Sequence, residues 1–97
     1  MKEHELKTDP AVFQLSWEGL KNFEIRLNDR DFKIGDTLKL RETKFSGYQM
    51  KEGKPLEYTD RVVEQTVTYI LHGNSSNYGL NKGWVVMSVK VDTTYEL

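Results

Sequence analysis

The pattern of apolar residues predicts a mainly β (α+β) fold, an open β-barrel of about five strands with one N-terminal helix. Three observations point there. Beyond residue 22, four separate stretches repeat their apolar residues with a period of two or are β-branched and aromatic throughout. Only one stretch, after Asp9-Pro10, has helical spacing. Clusters of Gly, Asn and Asp separate the strand-like runs, as turns in a small sheet protein require.

His4 to Thr8 alternates weakly and reads as a short first strand. Asp9 supplies an N-cap and Pro10 suits the first helical position, so a helix starts here and runs to about Glu18. Val12, Phe13 and Trp17 give it a face to lay on a sheet, and Gly19 is the expected left-handed stop. From Phe23 the period is two. Phe23, Ile25 and Leu27 fall on one face and Glu24, Arg26 and Asn28 on the other, the pattern of a half-buried strand. Asn28-Asp29-Arg30-Asp31 and Gly35-Asp36 are turns, and a third strand begins at Thr37 with Leu38 and Leu40 on one face. Ser46 to Glu57, with Gly47, Gly53 and Pro55 among charges, reads as an exposed hairpin loop. Arg61 to Leu71 is a partly two-sided buried strand, 73–83 a long polar loop, and Trp84 to Val91 the closing strand.

Ninety-seven residues fit a single domain, residues 1–97, and 37% hydrophobic content is enough to fill its core. No apolar run is long enough to cross a bilayer and the first residues lack the apolar stretch of a signal peptide, so a soluble cytoplasmic protein is expected. The absence of cysteine excludes disulfides and thiolate metal sites, and His4 and His72 lie far apart, so neither a metal nor a cofactor is expected. A net charge of −1 counts against histone-like non-specific DNA binding.

Chemistry concentrates at the join of helix and second strand. Arg26 offers a planar fork for phosphate or a base edge, Lys21 a point charge for phosphate, and Glu24 an acceptor for a base amino group. On a curled sheet this polar face lines a cleft; on a flat one these are solvated strand residues. Asn28 and Arg30 continue the face or simply make a turn. His4 and Lys7, on the first strand, reach either the cleft or the surface. The loop from Asn74 to Lys82, with Tyr78, either folds over a ligand as a lid or is an ordinary long connection, and its length favours the ligand-facing reading. Trp17 and Trp84 can stack on a base or pack, Tyr58 and Arg61 are weaker candidates, and His72 ends a strand.

Several strings carry a resemblance: His4-Glu5-Leu6-Lys7, Gly19-Leu20-Lys21-Asn22-Phe23-Glu24-Ile25-Arg26, Asn28-Asp29-Arg30-Asp31-Phe32-Lys33-Ile34-Gly35-Asp36, Tyr69-Ile70-Leu71 and Gly79-Leu80-Asn81-Lys82-Gly83-Trp84-Val85-Val86-Met87-Ser88. Over nearly the whole chain, from His4 to about Val91, the sequence resembles a small bacterial and phage branch of the ASCH superfamily. The resemblance implies a PUA-like β-barrel that binds RNA through a cleft beside the helix. The Gly-x-Lys-x-x-Glu-x-Arg string carries over Lys21, Glu24 and Arg26. One departure is Tyr58-Thr59-Asp60-Arg61, where the branch often has Gly before the arginine, and it falls on the turn geometry ahead of the fourth strand.

Three functions follow as expectations. The first is a binding module for RNA or a nucleotide, with Arg26 and Lys21 on phosphate and Glu24 on a base edge. The second is a small hydrolase of the amidohydrolase or ribonuclease kind found among ASCH relatives, with Lys21 as base or nucleophile and Glu24 as its acid partner. In the amidohydrolase relatives a threonine stands three residues after the lysine; a carboxylate at that place holds Lys21 protonated. The third is a protein–protein adaptor that uses the barrel without its cleft.

Overall fold

The computed structural model describes residues 1–74 and 79–97. Its elements are β1 (Glu3–Thr8), α1 (Pro10–Trp17), β2 (Phe23–Leu27), β3 (Thr37–Thr43), α2 (Gly47–Lys51), β4 (Tyr58–His72) and β5 (Trp84–Glu96). The strands form one mixed sheet in the order β1-β3-β4-β5-β2. The β1–β3 pair is parallel, with Leu6 beside Leu40, and the other three pairs are antiparallel.

The sheet curls because its long strands are bent. Pairing between β4 and β5 shifts register at Glu64/Gln65 and again at Val67/Tyr69, and each such irregularity bends a strand and increases its twist. The two outer strands are thereby brought face to face without pairing. Across the seam Arg26 Nη1 donates to the Lys7 carbonyl at 3.3 Å and Arg30 Nη1 to the Glu5 carbonyl at 2.9 Å. Two arginine side chains thus satisfy carbonyls that β1 presents at its open edge, where a further strand would otherwise pair.

Inside the curl lie Leu6, Phe13, Leu38, Leu40, Val63, Val67, Val85 and Met87, all buried. Burial of each such larger side chain contributes about 1.5–3 kcal/mol. Helix α1 closes one mouth by seating Phe13 in this core with Trp17 against it. The helix is further tied down by Arg61, whose guanidinium lies 5.3 Å and 4.8 Å from the Phe13 and Trp17 rings. It donates to both oxygens of the buried Glu42 and to Gln14 Oε1.

Several expectations hold. Pro10 opens α1, Gly19 takes φ 77, and His72 ends β4. Others need correction. Asp9 does not cap α1 through its side chain; its Oδ1 accepts the Gly47 N–H at 3.0 Å and so pins α2 to the start of α1. The expected hairpin loop over 46–57 contains α2, held by a capping box in which Ser46 accepts from the Gln49 N–H and the Gln49 side chain accepts from the Ser46 N–H. Strand β4 begins at Tyr58 and β5 continues to Glu96, beyond the expected bounds. Asp60 sits at φ 75 within β4, a conformation that suits glycine.

The faces of β2 are inverted relative to the half-buried pattern. Glu24 is buried, whereas Phe23, Ile25 and Leu27 are each nearly half exposed. The interior beside β2 is already occupied by Leu6, Val85 and Met87, and charged partners at the seam compensate the buried carboxylate.

Candidate functional site

The cleft starts from the end of α1. After Gly19 the chain folds back, and the Leu15 carbonyl accepts both the Leu20 N–H at 2.9 Å and the Lys21 N–H at 3.1 Å. This sets Lys21 over the first residues of β2. Its Nζ donates to the Phe23 carbonyl at 2.9 Å and to Glu24 Oε2 at 2.5 Å, and lies 5.1 Å from the centre of the Phe23 ring. On the other oxygen, Glu24 Oε1 accepts from Arg26 Nε at 3.1 Å and Nη2 at 3.0 Å. Arg26 Nη2 also reaches Thr8 Oγ1 at 3.3 Å.

Glu24 is only 2% exposed, so its carboxylate is buried between two cations that are themselves only partly exposed. They border a cleft of about 270 Å³, whose walls also include Lys7, Thr8, Val12 and Phe23. Ligand pockets typically measure about 300–1,000 Å³. At about 270 Å³ this cleft falls just below that range, a size that suits a single nucleobase or a sugar phosphate rather than a larger ligand.

Counting donors shows what the cleft offers. A lysine ammonium has three N–H groups and an arginine five. Two of the Lys21 donors and four of the Arg26 donors are engaged among the described residues, which leaves one of each. The Arg26 bonds to β1, both 3.3 Å, are long and exchangeable for a stronger acceptor such as phosphate. The Glu24 carboxylate serves to position its neighbours and presents almost no surface to a ligand.

The other residues singled out from sequence separate into two groups. Lys7 lines the cleft, and Arg30 lines a second cleft on the far side of Arg26. Asn28 makes a turn, its Oδ1 accepting the Phe32 N–H at 3.0 Å. His4 stands apart from the cleft, buried, with Nε2 2.8 Å from Asp36 Oδ2 and its ring edge-on to Phe32. Tyr78 lies outside the described residues. Trp17 and Arg61 belong to the clamp on α1, and Tyr58 carries the Arg41 guanidinium 3.8 Å above its ring.

Two buried carboxylates went unnoticed as such in the sequence. Burial pushes the Asp36 carboxyl up, but hydrogen bonds from the His4 ring and the Lys2 and Lys33 N–H groups outweigh it and hold the group below its usual range. Hydrogen bonds from Arg61, helped by Thr59, hold Glu42 low against the opposing effect of burial. On the outer face, the hydrogen bond to Glu64 pushes the Tyr95 phenol up to about 12. Glu42 and Arg61 stand nineteen residues apart on different strands, so their spacing in sequence carries no signal that they meet. Among the described residues no cluster of His, Asp and Glu is arranged to hold a metal ion, and no helix is long and apolar enough to cross a membrane.

No curated protein matches the chain. The model of the family described as a domain of unknown function, DUF3850, matches residues 3–89, a span that includes β1, α1, β2 and every residue bordering the cleft, and the chain belongs to that family.

Proposed function

We propose that this domain binds RNA or a nucleotide in the cleft between the end of α1, β1 and β2, and that it is a PUA-like member of the ASCH superfamily. The observation that carries the reading is the buried Glu24 carboxylate, which holds Lys21 and Arg26 side by side in the cleft wall, each with one N–H that no described residue accepts. Phosphate is the matching acceptor, since both donors are charged and Arg26 is planar. Phe23 and Val12 offer an apolar wall for a base. The engagement of two Lys21 donors on Phe23 and Glu24 favours a recognition role over one as general base or nucleophile, which needs a free lone pair on nitrogen.

A fluorescence titration with short RNA and DNA oligomers and with mononucleotides tests the reading. Saturable binding is expected, weakened about tenfold by Lys21→Ala and by Arg26→Ala, because a hydrogen bond to a charged group contributes about 1.5–3 kcal/mol. Equal, salt-insensitive, millimolar binding of every ligand would overturn it.

A further inference from the structure

We infer that the clefts on the two sides of Arg26 are one groove, which takes a dinucleotide step of a single-stranded nucleic acid with one base stacked on Trp84. This rests on the function proposed above and extends it from a single nucleotide to a chain. The second cleft, about 370 Å³, shares Ile25 and Arg26 with the first and adds Leu27, Arg30 and Trp84. Together they follow β2 from Phe23 to Leu27, a length of about 13 Å at about 3.3 Å per residue.

Three features select a nucleic acid as occupant. The first is charge: Lys7, Lys21, Arg26 and Arg30 border the groove against Asp9, Asp29 and the internally neutralised Glu24, although the chain as a whole is slightly acidic. The second is an aromatic platform. Trp84 is 40% exposed and paired with Leu27 across the sheet, so indole and aliphatic chain share one surface against which a base can lie. The third is the inverted β2. Its exposed Ile25 and Leu27 border the same clefts, and the face of a base or ribose covers such apolar surface while the phosphates meet the arginines. Arg26, common to both clefts, is where the linking phosphate falls, and Arg30 receives the next one.

Calorimetric titration of the whole chain with AMP, the dinucleotide pApA and its deoxy counterpart tests the inference. Affinity for pApA, with either sugar, is expected to exceed that for AMP by at least about tenfold. Trp84→Leu and Arg30→Gln are each expected to lower pApA affinity about tenfold and leave AMP affinity within about twofold, since base stacking on an aromatic side chain contributes about 1–3 kcal/mol. Circular dichroism confirms that both variants fold. Equal affinities for AMP and pApA, with Trp84→Leu and Arg30→Gln both silent, overturn the groove and leave the single cleft standing. Binding of none of these ligands overturns both.

Discussion

Glu24 Oε2 accepts the Lys21 ammonium at 2.5 Å from a position almost wholly removed from solvent, while Oε1 holds Arg26. One buried anion therefore fixes two cations at a seam that the backbone leaves open. Its removal has consequences for stability as well as for binding.

Replacing the carboxylate by an amide, Glu24→Gln, keeps the shape and removes the charge. Breaking a buried ion pair by deleting one partner costs about 3–5 kcal/mol. Because Lys21 and Arg26 are partly exposed and can hydrate, about 1–3 kcal/mol is expected here. Urea denaturation measures it, and an unchanged midpoint would show that the carboxylate contributes nothing to holding the seam.

A second expectation concerns Asp60. Its φ of 75 places an L-residue where glycine is at ease, near the start of the otherwise extended β4. The left-handed conformation costs an L-residue about 1–2 kcal/mol, offset in part by the greater backbone entropy that glycine loses. Asp60→Gly is expected to raise Tm by a few degrees and Asp60→Val to lower it, read by thermal unfolding. The departure from glycine noted in the sequence at this position thus has a conformational consequence.

Much of the fold was legible because its signals are local. Pro10 starting α1 and Gly19 ending it follow from those residues' own backbone preferences, and the period-two runs of β2, β3 and β5 from the alternation of side chains along a strand. Alternation in β2 separates two faces but does not say which is inside. That depends on the curl of the sheet, set by irregularities between β4 and β5 that no local pattern announces. The same holds for Asp9, a good helix cap by type, which instead serves Gly47 in another helix. Helix α2 was readable from Ser46 and Gln49 three apart, but the flanking Gly47, Gly53 and Pro55 masked it. Of the candidate site, Lys21, Glu24 and Arg26 were legible through their clustering in sequence; the pairing of His4 with Asp36 and of Glu42 with Arg61 required long-range register.

Acid is expected to destabilise the fold through these last two pairs. Asp36 and Glu42 are held below their ordinary values of 3.8 and 4.5, so the folded state binds fewer protons than the unfolded chain in the range just beneath those values. Their contribution is present above the ordinary values and is lost as pH falls through the depressed ones. Chemical denaturation between pH 6 and pH 2 should show stability declining below about pH 4.5. Asp36→Asn and Glu42→Gln should each flatten that decline, and an identical acid limb in both variants would contradict the assignment.

Binding should also respond to salt. For single strands the slope of log K against log salt is about −0.7 per phosphate neutralised. Lys21→Ala is expected to make the slope for an oligonucleotide shallower by about 0.7. A salt titration checks this; a slope near zero in the wild type would remove phosphate contact from the account.

The most direct test of the cleft itself is a proton–nitrogen correlation spectrum, recorded with the arginine side-chain region during titration with a short oligoadenylate. The largest shifts should fall on the Arg26 Nε–H and the backbone amides of residues 7–9 and 21–26, and Glu24→Gln should diminish them without altering the spectrum of β4 from Tyr58 to Thr66, which pairs with β3 and with the end of β5 remote from Glu24. Shifts confined to other parts of the surface, or a silent Arg26 Nε–H at saturation, would contradict the account.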